Sequence, residues 1–209
     1  AISRLNKAVN LNPDLIEAHS PLGLSLMKMG RLEEATVSFD KIKIDDPNYA
    51  DAQSNLGRVF WKLKQYPEAI TALKKSIKFH PTSPKPYINL GSIHIVLGNN
   101  SQAIHYFKEA IDRKSNDPEA HYKLGLVYEI VGRYHDAIDE YRAVIQLNPD
   151  DPVVQYSLGW ALIESKRYIE ATAPFKNSIR LNPENAKAYY SLGWIYGELN
   201  RYEEAIAAL

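Results

Sequence analysis

Apolar residues along this chain fall at helical spacing, and the pattern restarts at a fixed interval. Between residues 118 and 151, Ala120, Leu124, Val127, Tyr128 and Val131 trace one apolar stripe; after a short polar break, Ala137, Ile138, Tyr141, Val144 and Ile145 trace a second. Each block therefore reads as two amphipathic helices. Blocks of the same form recur every 34 residues, marked by Leu22-Gly23, Leu56-Gly57, Leu90-Gly91, Leu124-Gly125, Leu158-Gly159 and Leu192-Gly193. Twelve residues after each Gly stands an alanine: Ala35, Ala69, Ala103, Ala137, Ala171 and Ala205. A period of this length means one supersecondary unit repeated, because a single helix pair cannot bury its apolar face alone and must stack on the next.

The breaks fix how the helices connect. Inside each block lies a short polar pair, at Gly30-Arg31, Lys64-Gln65, Gly98-Asn99, Gly132-Arg133, Lys166-Arg167 and Asn200-Arg201, and so short a link forces an antiparallel arrangement. A second break closes the block at Asn12-Pro13, Asp46-Pro47, His80-Pro81, Asn148-Pro149 and Asn182-Pro183, where proline cannot continue a helix. The fold class is thus all-α, an α-solenoid of antiparallel helix pairs. Helices are expected near 17–29, 33–45, 51–63, 67–79, 85–97, 101–113, 119–131, 135–147, 153–165, 169–181 and 187–199. The recurring Gly and Ala have a packing reason, since neither carries a side chain large enough to hold two crossing backbones apart.

These marks resemble the tetratricopeptide repeat, whose pattern puts a bulky residue at position four, Leu-Gly at seven and eight, Tyr at eleven, Ala at twenty, an aromatic at twenty-four, Ala at twenty-seven and Pro at thirty-two. Position one then falls on Ile16, Ala50, Pro84, Pro118, Pro152 and Ala186, and position twenty-four on Phe39, Leu73, Phe107, Tyr141, Phe175 and Leu209. Ala1, Leu5, Ala8 and Pro13 fit the second helix of a preceding unit, so the resemblance covers the whole chain. It divides residues 1–209, a single array, into a partial repeat at 1–15, full repeats at 16–49, 50–83, 84–117, 118–151 and 152–185, and a partial repeat at 186–209. A right-handed superhelix is implied. Because both ends fall inside helices, leaving Ile2, Leu5 and Val9 without a partner on one side, the chain reads as an excerpt of a longer array.

Departures from the pattern are local. Ser115 replaces the closing proline of the third full repeat, with Pro118 taking over as a helix start. Pro21 and Pro174 fall inside expected helices, where each removes a hydrogen bond and should bend its helix. In the first full repeat, Ile42 and Ile44 break the usual spacing, so that helix is expected to end early.

Composition narrows the function. Twenty-five Lys and Arg balance twenty-five Asp and Glu, leaving no net field to attract nucleic acid or an acidic membrane, and no apolar run approaches the length of a transmembrane segment. The absence of cysteine removes thiolate catalysis, disulfides and Cys-based metal sites. It does not fix a compartment, of which the cytoplasm is slightly favoured. No phosphate-binding, zinc-protease or hydrolase motif occurs. His19 and His121 stand at position four and His94 at position eleven, where packing accounts for them better than metal binding. Asn99-Asn100-Ser101 matches a glycosylation sequon in a helix-helix turn, a pattern short enough to arise by chance. The chain therefore reads as a non-enzyme with no catalytic residues, cofactor or metal.

The resemblance implies that first helices line a concave groove, with positions two, five, six, nine, twelve and thirteen pointing inward. Toward the N-terminus these positions hold Lys28, Asn55, Arg58, Lys62, Lys85 and Asn89, with Trp61 among them; toward the C-terminus they hold Tyr122, Leu126, Tyr156, Trp160, Ile163, Tyr190 and Trp194. Such a face suits a peptide or protein partner with an acidic part and an apolar part, because aromatics supply buried area and Asn side chains bond an extended backbone. The competing view is that Trp160 and Trp194 merely pack between neighbouring first helices. A carboxylate clamp of the kind some members of the family use on chaperone C-termini is not expected. Asn55 and Lys85 match it, but Ser20, Leu24 and Asn89 stand where Lys, Asn and Arg belong. The leading expectation is a non-catalytic adaptor; the alternatives are the recruiting arm of a larger enzyme, such as a glycosyltransferase with these repeats, and a scaffold that self-associates through open repeat ends.

Overall fold

The computed structural model describes residues 2–13 and 15–208, the side chains of Ile2 and Ala208 excepted. Among the described residues there are thirteen α-helices and no strand: α1 (Ile2–Leu11), α2 (Ile16–Lys28), α3 (Leu32–Asp40), α4 (Tyr49–Lys62), α5 (Tyr66–Phe79), α6 (Pro84–Val96), α7 (Asn100–Arg113), α8 (Pro118–Ile130), α9 (Tyr134–Leu147), α10 (Pro152–Glu164), α11 (Tyr168–Leu181), α12 (Ala186–Glu198) and α13 (Tyr202–Ala208). The register marks assigned to Ala1 and Leu209 lie outside the described residues. Packing divides the chain into two compact units, unit 1 ending at Arg113 and unit 2 beginning at Lys114. Within each, first helices alternate with second helices, and each second helix from α3 on packs on the first helix of its own pair.

The expected and observed helices agree to within two residues at both ends, with one exception: the helix expected at 33–45 is α3, which stops at Asp40. The apolar stripe explains the early end. Phe39 and Ile42 are buried, but Lys43 and Asp46 follow where a continued helix would need apolar residues, and Ile44 is left exposed. No buried face holds another turn in place.

Each pair is closed by the same reversal. Gly30, Lys64, Gly98, Gly132, Lys166 and Asn200 take φ between 58° and 77°, and the next residue's N–H donates back across the helix end, as from Arg133 to the Tyr128 carbonyl at 2.8 Å. Lys64, Lys166 and Asn200 hold this left-handed conformation with a side chain, at about 1 kcal/mol of strain each.

Position eight carries Gly because position twenty-four fills its space. A Cβ on Gly125 would lie 2.5 Å from Tyr141 Cε1, one on Gly159 2.7 Å from Phe175 Cε2, and one on Gly91 2.7 Å from Phe107 Cε1. The ring of the second helix thus rests directly on the backbone of the first. Position twenty is as tight, with Ala35, Ala69, Ala103, Ala137 and Ala171 fully buried.

Position four does more than pack. His19 Nε2 donates to the Pro13 carbonyl at 2.8 Å, the Tyr87 hydroxyl to Pro81 at 3.2 Å, His121 Nε2 to Ser115 at 2.9 Å and Gln155 Nε2 to Pro149 at 3.2 Å. In each case the acceptor is the residue six earlier, at position thirty-two of the preceding repeat. A side chain from the new helix therefore pins the turn that led into it. Only a carbonyl is needed there, which is why Ser115 replaces proline without changing the contact.

Candidate functional site

In unit 2, positions five and nine of the first helices carry Tyr122 and Leu126 on α8, Tyr156 and Trp160 on α10, and Tyr190 and Trp194 on α12. Four residues apart, each pair shares a helix face. Tyr190 is 66% exposed, Trp160 43% and Trp194 40%. Neither indole is buried under a neighbouring helix, as packing alone would require.

What holds these rings at the surface is the scaffold just described. Phe175 fills the space above Gly159, and Tyr156 meets Phe175 edge-on with centroids 5.5 Å apart; Tyr141 fills the space above Gly125, and Tyr122 lies 5.8 Å from it. Tyr156 and Tyr122 are half-buried, as is Leu126. Ile163 is only 8% exposed, so it backs the face from beneath and offers little surface of its own. Trp194 meets the ring of Tyr168 edge-on at 5.6 Å. Tyr168 opens a second helix, at position seventeen, so a reading confined to first helices passed over it.

Unit 1 presents a different face at the same positions. Arg58, Lys62 and Lys85 are exposed, Asn55 and Asn89 half-buried, and Arg58 Nη1 donates to Asn55 Oδ1 at 3.3 Å. Trp61 packs partly against the cluster of Leu73, Leu90 and Ile93, and so belongs as much to the core as to the surface. Positions five of α4 and α6, Ser54 and Ile88, are buried.

The titratable groups of unit 2 are arranged for support. His121 Nδ1 lies 2.6 Å from Glu140 Oε2, and this hydrogen bond holds the imidazole pKa above its ordinary value. Burial, reinforced by the charge of Glu164, raises the Glu129 carboxyl. Glu129 Oε1 and the Tyr141 hydroxyl are both buried without a partner at hydrogen-bond distance, and burial together with the nearby Glu129 charge keeps that phenol protonated. In unit 1, burial and Lys74 depress His94, which stacks on Tyr106 at 5.3 Å. Among the described residues no three His, Asp or Glu side chains converge as metal ligands would. Among the same residues no helix is long and apolar enough to cross a membrane.

A family profile of the tetratricopeptide repeat matches residues 21–84 and 88–152, and a second one matches 175–207. No curated protein sequence matches the chain. Similar solved structures include MamA, at TM-score 0.70 and 27% identity over 82% of this chain and 94% of that one. YrrB, described as a protein of this repeat type with an unusual peptide-binding site, aligns at TM-score 0.70 and 22% identity over 90% of this chain and 97% of its own. PilF of Pseudomonas aeruginosa aligns at TM-score 0.77 and 20% identity, covering 92% and 88%. At such identities the last two likenesses are of fold alone.

Proposed function

The chain belongs to the tetratricopeptide repeat family, and from that premise we propose that it is a non-catalytic adaptor that holds a peptide or protein segment against the first-helix face of unit 2. The observation that carries this reading is the exposure of Tyr190, Trp160 and Trp194 at repeating positions of adjacent first helices. Large aromatic side chains left in water lose favourable burial, and a partner that covers them recovers it. Tyr168 widens the surface beside Trp194. YrrB has a peptide-binding site on the same kind of scaffold, so the fold admits one.

Selection of a random dodecapeptide display library tests the reading. Peptides enriched on the wild-type chain should carry aromatic or aliphatic anchors, blue-shift the tryptophan emission on binding, and lose about thirtyfold or more in affinity for a Trp160→Ala, Trp194→Ala double variant that keeps its helicity. Enriched peptides that bind the double variant at full strength sink the proposal. The exposed Arg58, Lys62 and Lys85 of unit 1 support a second contact, with acidic residues. Loss of binding in Arg58→Ala and Lys62→Ala that fades as salt rises is the signature of that contact, since exposed charges act over a screening length of about 8 Å in physiological buffer.

A further inference from the structure

The short α3 leaves a gap on unit 1. α3 has nine residues where α5, α7, α9 and α11 have fourteen. The five missing residues amount to about 7.5 Å of helix at 1.5 Å per residue. Where they would lie there is a cleft of about 450 Å³, floored by Gln53, Leu56 and Phe60 of α4 and rimmed by Asp40, Glu68 and Lys75.

Unit 2 shows what normally occupies such a place. There Ile179, at position twenty-eight of the repeat, stands against Tyr189, Leu192 and Tyr196 of the next first helix, at positions four, seven and eleven, and the remaining cleft is about 300 Å³. Position twenty-eight is Ile77, Ile111, Ile145 and Ile179 in four repeats, and Lys43 in the first. Lys43 is exposed and does not fill the gap. The cleft floored by positions four, seven and eleven therefore lacks the position-twenty-eight isoleucine that stands against the corresponding residues in unit 2.

Gln53 adds an independent sign. It is 4% exposed, lines the cleft, and among the described residues its amide makes no hydrogen bond. Its counterpart Gln155 donates to a main-chain carbonyl, as the other bonded position-four residues do. An amide that bonds no protein carbonyl is left to pair with one that enters the cleft. Asp40 and Glu68 are exposed carboxylates without an ion-pair partner among the described residues, against the single cation Lys75 in the lining.

We infer that this cleft is a docking site for a short helical segment of a partner protein, one that seats an isoleucine-sized side chain on Leu56 and Phe60, offers a main-chain carbonyl to Gln53, and carries basic residues toward Asp40 and Glu68. It replaces in trans the end of α3 that the chain itself lacks. The site lies in unit 1 and shares no residue with the aromatic surface of unit 2, so either proposal can fail alone.

The probe is a helix-stapled synthetic peptide with the sequence of residues 70–79, which brings two isoleucines, Ile77 among them at position twenty-eight of its repeat, and three lysines. Titrated into the isotope-labelled chain, it should move the NMR signals of Leu56, Phe60 and Thr71. Truncating the second of these, Ile77→Ala in the chain's numbering, should weaken binding about tenfold or more, as loss of several buried methyl and methylene groups does. In the protein, Lys43→Ile should fill the cleft from within, raise the melting temperature and weaken the peptide at least as much. Glu68→Lys, an exposed change that spares the core, should weaken it at low salt. No binding at millimolar peptide, shifts centred on Trp160 and Trp194, or affinity unchanged in both protein variants would each overturn the inference. So would contacts between the Ile44 methyls and Phe60 in the free chain, which would mean its own segment closes the cleft.

Discussion

Units 1 and 2 use one scaffold and present two faces. At position five, α4 and α6 carry Ser54 and Ile88, both buried, whereas α10 and α12 carry Tyr156, half-buried on Phe175, and Tyr190, exposed. At position nine, unit 1 has Arg58 and the buried Ser92, and unit 2 has Trp160 and Trp194. The pieces beneath are the same: position-eight glycines covered by a position-twenty-four side chain, fully buried position-twenty alanines and left-handed turns. The repeat thus constrains the residues that bring two helices together and leaves the outward residues of the first helix free. A small or aliphatic residue at position five becomes core, and a large ring projects beyond it.

The contrast breaks first at the matched positions. Ile88→Ala in unit 1 should lower stability by about 2 to 5 kcal/mol, as truncation of a buried Ile does, whereas Trp194→Ala in unit 2 should change it by about 1 kcal/mol or less, the worth of its ring contact with Tyr168. Urea midpoints measure both, and equal losses would mean that the unit 2 rings are core after all. The shared scaffold is probed next by Gly91→Leu and Gly125→Leu, one in each unit. Each should lose about 1 to 3 kcal/mol through overpacking, with little change for Lys64→Leu in its exposed turn. If either glycine tolerates leucine, the two units are not built alike.

Smaller effects sharpen the comparison. Lys64→Gly in unit 1 and Lys166→Gly in unit 2 relieve the same left-handed strain and should each stabilise by about 0.5 to 1 kcal/mol, glycine's greater freedom in the unfolded chain offsetting part of the gain. Thermal melts that fall in both would refute the turn geometry. The last difference is in pH response. His121 is held above its ordinary value by Glu140, so its contribution to unit 2 is fully present below about pH 6.5 and disappears as pH rises through the higher folded value. Glu129, raised by burial, gives a loss of the same sign that begins lower, in the carboxylate range. His121→Gln keeps a donor for Ser115 and removes the titration, and a melting temperature that still falls across neutral pH in that variant would reject the assignment.

The tertiary structure added what no single 34-residue block contains. His19 and His121 were legible as bulky residues at position four, but their bond to a carbonyl six residues back depends on how the closing turn passes over the new helix. Ile163 satisfied the same positional rule as Trp160 and was expected at the surface; a branched side chain at that position is short enough to be covered, and it is. Tyr168 was missed because it lies on a second helix and reaches Trp194 only through packing.

What the sequence determined by itself is the repeat: helix order, pairing, turn positions and the early end of α3 all follow from apolar periodicity, Gly and Pro, which act through the local backbone and nearest neighbours. What only the tertiary structure decided is which outward residues stay in water and which spaces stay unfilled. Exposure is set by the side chains of the adjoining helix, and the cleft over Gln53, Leu56 and Phe60 is wider than its unit 2 counterpart where a neighbouring helix stops five residues short. Neither can be read from one helix at a time.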